Sequence, residues 1–157
     1  MSKFRLCHID TGYINFLHSR DNRVQFNKTG RPYVGVVLRV GNFQYFVPLE
    51  SPKPNHVNIH GGPILKLDGG KLGIMGFNNM IPVPKSAQID FDIAQVPDAK
   101  YRALLYNQLA FCNNKADLIY EKAEKVYDKE TKGVPAYKKI CCNFKKLESA
   151  CIVYRPR

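Results

Sequence analysis

No tryptophan, no CxxC pair and no run of about 18 apolar residues occurs in this sequence, and each absence removes a class of protein. The five cysteines, Cys7, Cys112, Cys141, Cys142 and Cys151, are odd in number, and no histidine stands at zinc-finger spacing from them. That excludes a disulfide scaffold and a zinc finger and suits a reduced cytosolic chain. The start, MSKFRLCHID, lacks the apolar stretch of a signal peptide, so neither export nor a membrane span is expected. Walker, HExxH and GxSxG motifs are missing too, and the glycines of GGKLGIMG lack the strand-to-helix setting of a dinucleotide loop and are assigned to turns. His56 and His60 form an H-x3-H pair, but in a Pro/Gly loop that spacing defines no geometry. Neither a metal nor another cofactor is expected.

What is abundant is positive charge. Lys and Arg number 24 against 13 Asp and Glu, a formal net charge of +11. The excess is shared: residues 1–79 carry ten basic and four acidic groups, residues 80–157 fourteen and nine. A field of this sign draws polyanions and depends on salt, which makes nucleic acid the leading partner class, with a merely well-solvated surface as the plain alternative. At 157 residues and 45% hydrophobic composition the chain is expected to form one domain with its own core.

Periodicity divides that domain in two. KFRLCHI alternates as a half-buried strand, and Asp10 or Thr11 caps a short helix through Tyr13, Phe16 and Leu17. YVGVVLRV and FQYFVPL flank Gly41-Asn42 as a β-hairpin whose first arm, apolar on both faces, is central. PILKL, LGIMGF and MIPVP continue an antiparallel sheet in short pieces. From Pro97 or Asp98 the period turns helical. Tyr101, Leu104, Leu105, Gln108, Leu109 and Cys112 share a stripe, then Leu118, Ile119, Ala123, Val126 and Tyr127 up to a stop at Gly133 and Pro135. A third helix starts at Asn143, with Phe144, Leu147 and Ala150 or Cys151 inward. The sum is an α+β fold, sheet first and helices after.

Between four prolines, YFVPLESPKPNHVNIHGGP carries Ser51 and Lys53 just past a buried strand, with the backbone on either side of Lys53 restricted by proline. Arg31, ahead of the opposite hairpin arm, reaches the same sheet edge. RNA needs no metal for cleavage, because its 2′-hydroxyl is an internal nucleophile that a hydroxyl and a few cations can align and stabilise. The alternatives are a turn-capping Ser51, solvated Lys53 and Arg31, and a bystander His56.

GRPYVGVVLRVGNFQYFVPLESPKPNH, GKLGIMGFNNMIPV, YRALLYNQLAF and CNFKKLE, in this order, resemble the successive blocks of the ToxN/AbiQ family, endoribonuclease toxins of type III toxin-antitoxin systems. The resemblance spans nearly the whole chain, and PLxSPKxxH after RPYxGxVL is its most specific part. It implies a strongly twisted antiparallel sheet similar to that of Kid and MazF, with added helices, and metal-independent cleavage of adenine-rich RNA to 2′,3′-cyclic phosphate and 5′-hydroxyl ends. It also implies an RNA antitoxin, cut from tandem repeats into pseudoknots that stay bound in a closed protein-RNA assembly. Roles in phage defence or plasmid maintenance follow, with cellular or phage mRNA as substrate.

By the same resemblance Ser51, Lys53 and Arg31 are the catalytic residues, and Tyr13, in TGYINFL, joins them to orient substrate. Glu50 departs from the family, where Thr or Ser is common, and would either repel phosphate or act as a base. Phe26 stands in for an aromatic of the preceding loop. Further RNA contacts are expected from His56 and from Lys138, Lys139, Lys145 and Lys146 of KKICCNFKK, which serve equally well as a solvated face. The rival function is a non-catalytic RNA-binding regulatory module, which uses the same field but needs no serine.

Overall fold

A computed structural model describes residues 4–26, 30–59 and 61–156. Strand β1 (Arg5–Ile9) leads into helix α1 (Thr11–Arg20), where the Asp10 carboxylate caps the first turn by accepting from the Tyr13 N–H at 3.1 Å. Strands β2 (Tyr33–Val40) and β3 (Phe43–Glu50) form the hairpin, turning at Gly41, whose φ of +57° suits glycine. Short strands β4 (Ile64–Lys66), β5 (Ile74–Gly76), β6 (Ile81–Pro82) and β7 (Gln88–Asp90) follow. Together they make a seven-stranded antiparallel sheet in the order β4-β5-β3-β2-β1-β7, with β6 also on β3. The central place of β2 and the sheet-then-helix order agree with the sequence.

Helices α2 (Ala99–Asn114), α3 (Ala116–Thr131), α4 (Pro135–Ile140) and α5 (Phe144–Val153) complete the described fold. Asp98 and Asn143 cap α2 and α5, as their positions ahead of the apolar stripes predict. Two elements were not expected. β7 falls in a stretch to which the sequence assigns no element, and Pro135, taken as a helix stop, is instead the first residue of α4, where a missing N–H costs nothing. Leu118, assigned to the inner stripe of α3, is exposed.

The buried apolar residues form one cluster around Tyr33, Tyr45, Phe46, Phe77 and Phe144. Three buried carboxylates fasten the helices to it. Glu148 accepts from the Tyr45 and Tyr127 hydroxyls at 2.7 Å each, and Glu130 accepts from the Phe144 N–H at 3.1 Å and from Lys138 Nζ at 2.6 Å. Asp21, at the end of α1, accepts from the Asn143 N–H at 2.7 Å. Each buried charge thus has several partners, the condition under which such groups are tolerated.

Candidate active site

The hairpin register assembles the site. Tyr33 pairs with Pro48, and the next N–H, that of Leu49, donates to the Pro32 carbonyl at 3.0 Å. Continued one step, the ladder sets Arg31 opposite Glu50 and beside Ser51. Between Gly35 and Leu38 the register shifts, leaving Val36 and Val37 outside the ladder, an irregularity that adds twist to the hairpin. Arg31, Ser51, Lys53 and Glu50 then line one groove of about 230 Å³ with Gly30, Pro32, Leu49 and Tyr101. Three of the four catalytic residues expected from the sequence, Arg31, Ser51 and Lys53, therefore share a surface.

The loop that presents Ser51 and Lys53 is held from below. His56 is buried, and its Nδ1 accepts from the Lys53 N–H at 3.2 Å. It anchors the loop and has no face for RNA, which corrects its assignment as an RNA contact. Gly73, at φ +98°, lies against the same loop, and a Cβ there would stand 1.9 Å from the Glu50 carbonyl oxygen. Only glycine lets the two backbones approach so closely.

Electrostatically the groove is uneven. Lys53 Nζ lies 3.4 Å from Glu50 Oε1, a half-exposed pair of the kind that contributes only about 0–1 kcal/mol. Arg31 differs: its Nε and Nη1 are buried and have no hydrogen-bond partner among the described residues. Unmated donors of this kind cost free energy unless a ligand supplies acceptors, and a phosphate oxygen matches a guanidinium fork. Tyr101, from the first turn of α2, adds a hydroxyl whose pKa is raised by burial.

Two further depressions meet this groove at Glu50. One, of about 350 Å³, is lined by Arg31, Lys53, His18, Arg23 and Phe26. Exposed Phe26 stacks on His18 with ring centroids 3.8 Å apart, and the His18 Nδ1–H donates to the Val24 carbonyl. Phe26 thus lines the same depression as Arg31 and Lys53. The other, of about 240 Å³, has amide walls: Gln25, Asn78 and Asn79, joined by a Gln25 Nε2 to Asn79 Oδ1 bond of 3.1 Å. Sequence reasoning missed Tyr101, His18 and this amide set. Tyr101 sat on an apolar stripe and passed as core, and isolated amides carry no motif.

Tyr13 does not join the site. It is fully buried, its hydroxyl donates to the Pro82 carbonyl, and its ring meets Tyr154 edge-on at 4.8 Å, while burial pushes its pKa far up. It is a core residue without access to substrate. The lysines of KKICCNFKK divide. Lys138 pairs with buried Glu130, and Lys145 lies 3.5 Å from Glu148 and over the Tyr127 ring, so both neutralise core carboxylates from the surface. All four of these lysines are exposed. His60 lies outside the described residues.

A basic α+β domain with unmated guanidinium donors in a groove has the features of a polyanion-directed protein. The profile described as "Toxin ToxN, type III toxin-antitoxin system" matches residues 5–152, and the chain belongs to that family. It is 38% identical over 163 residues to "Endoribonuclease ToxN" of Bacillus thuringiensis subsp. kurstaki, covering 95% of this chain and 83% of the relative. Among solved structures it is similar, with a TM-score of 0.88 and 36% identity over 99% of this chain and 100% of the other, to one described under selective toxin inhibition by a non-coding RNA pseudoknot in type III systems. It is also similar to AbiQ, described as a lactococcal anti-phage endoribonuclease, with a TM-score of 0.86 and 28% identity over 98% of both chains.

Proposed function

We propose that this protein, an endoribonuclease toxin by family, cuts RNA without a metal, by in-line attack of a 2′-hydroxyl on the adjacent phosphate at the Arg31–Ser51–Lys53 groove. Arg31 and Lys53 stabilise charge on the phosphorane, and Ser51 hydrogen-bonds the phosphate or the nucleophile. The observation that carries this reading is the pair of buried, unpartnered Arg31 donors beside Ser51 and Lys53. Phe26 on His18 offers a stacking platform for an unpaired base. Binding in that groove would also let a pseudoknotted antitoxin, processed from tandem repeats, block the site in a closed protein-RNA assembly. The setting is cytoplasmic, the substrates cellular or phage mRNA with adenine-rich sites, and the outcome phage defence or plasmid maintenance. Among the described residues no helix is long and apolar enough to cross a membrane.

The test is product analysis. Purified protein in EDTA should yield 2′,3′-cyclic phosphate and 5′-hydroxyl ends, and Ser51→Ala should abolish cleavage while RNA affinity persists. Recovery of 3′-hydroxyl and 5′-phosphate ends, or loss of activity in EDTA, rejects the mechanism. An unchanged Ser51→Ala protein returns the chain to a non-catalytic RNA-binding module.

A further inference from the structure

The cleavage proposed above moves a proton in its first step, and the groove must hold a group able to take it. A 2′-hydroxyl becomes an effective nucleophile only as its hydrogen leaves. Among the described residues of the Ser51 groove, Arg31 and Lys53 are cations, Ser51 and Tyr101 are hydroxyls, and Gly30, Pro32 and Leu49 have no titratable side chain. Glu50 is the remaining member and a carboxylate. His56 is removed from contention by burial and by its engaged Nδ1. His18 faces only the neighbouring depression.

Position favours the same residue. Glu50 is the last residue of β3, so the strand fixes its backbone while Gly73 packs on its carbonyl, and the side chain ends 3.4 Å from Lys53 Nζ. It lines all three depressions that meet at this sheet edge. A chain whose successive nucleotides occupy two of them passes its ribose over this carboxylate.

We infer that Glu50 is the general base of the reaction, an inference that rests on the ribonuclease reading above. Its carboxylate takes the 2′-hydroxyl proton as the 2′-O–P bond forms and the P–O5′ bond breaks, and the leaving O5′ takes a proton from the Lys53 ammonium. Across the Glu50–Lys53 pair the carboxylic acid then returns its proton to the amine, so the site is reset with no external reagent. Glu50 therefore does more than repel phosphate at a position where Thr or Ser would be uncharged.

The experiment is single-turnover cleavage of a short single-stranded RNA, mapped first with the wild type, over about pH 3 to 9, a range that spans ordinary carboxylate titration. Charged or titratable groups facing the three depressions besides Glu50 are Arg31, Lys53, Tyr101, His18 and Arg23, so the profile needs controls. Glu50→Gln should slow the chemical step about 100-fold, keep RNA affinity within about threefold, and lose the acid-side rise of rate with pH. Glu50→Asp should keep that rise at an intermediate rate, and His18→Asn should keep it as well. Wild-type or faster cleavage by Glu50→Gln would make the carboxylate a mask on Lys53 and overturn the inference. A slower Glu50→Gln with an unaltered acid limb would overturn it too, leaving Glu50 as a holder of Lys53. Wild-type products lacking cyclic phosphate ends would instead sink the ribonuclease reading itself.

Discussion

Two regions of this molecule use lysine and arginine in opposite ways. In the helical layer, Lys138 and Lys145 meet the buried carboxylates of Glu130 and Glu148, which the Phe144 N–H and the hydroxyls of Tyr45 and Tyr127 also satisfy. At the hairpin edge, among the described residues, Arg31 keeps buried donors without partners and Lys53 pairs with a carboxylate, Glu50, that is itself partly exposed. Net charge says nothing about which cation is committed. The counter-group supplied by the fold decides, and a cation left unsupplied is the one available to a ligand.

That contrast can be broken most severely at the groove. Ser51→Ala and Arg31→Met should each lower the cleavage rate about 100- to 1,000-fold. Because Arg31→Met removes donors that the fold leaves unmated, its Tm should be unchanged or higher; a fall of several degrees by calorimetry would mean that Arg31 is structural. Glu130→Ala should do the reverse. Loss of the acceptor for the Phe144 N–H and for Lys138 should cost about 2 kcal/mol in urea unfolding, with the cleavage rate of the folded fraction retained. Gly73→Ala blurs the two regions: the Cβ collision with the Glu50 carbonyl should displace the Ser51 loop and lower cleavage about tenfold, with far-UV circular dichroism preserved.

Smaller effects sharpen the division. Lys139→Gln and Lys146→Gln should each flatten the salt dependence of RNA affinity by about one unit of slope, whereas Lys138→Gln should change mainly stability. Unchanged slopes would make the exposed pair a solvated face. Burial raises the thiol pKa values of Cys7 to about 11 and of Cys112 and Cys141 to about 12, so at pH 8 these thiols should alkylate with iodoacetamide far more slowly in the native protein than in urea. Equal rates would mean that the core opens readily.

The sequence discloses those parts of the fold whose cause is local. The hairpin, the Asp10, Asp98 and Asn143 caps and the stripes of α2, α3 and α5 depend on neighbouring residues, and apart from exposed Leu118 in α3 they stand where periodicity puts them. Strand β7 depends on pairing with β1, through His8 and Ile89, across most of the fold's first half and has no signal of its own. The site follows the same rule. Ser51, Lys53 and Arg31 come together because one hairpin register joins them, and it is the family resemblance, not their spacing alone, that singles them out. Tyr101 arrives from a helix about fifty residues later, and the misassignment of Tyr13 and His56 arose because a polar aromatic in a motif looks alike whether its polar atom faces solvent or, as here, the Pro82 carbonyl and the Lys53 N–H.

The unmated guanidinium of Arg31 has a last consequence, for the durability of the protein. A molecule that carries an unmet demand for anions in its native state, and loses that demand when unfolded, is stabilised by mass action whenever a polyphosphate occupies it. If an RNA silences this enzyme as proposed, it would then also preserve it, and a copy stripped of that RNA would be at once the active one and the shorter-lived one.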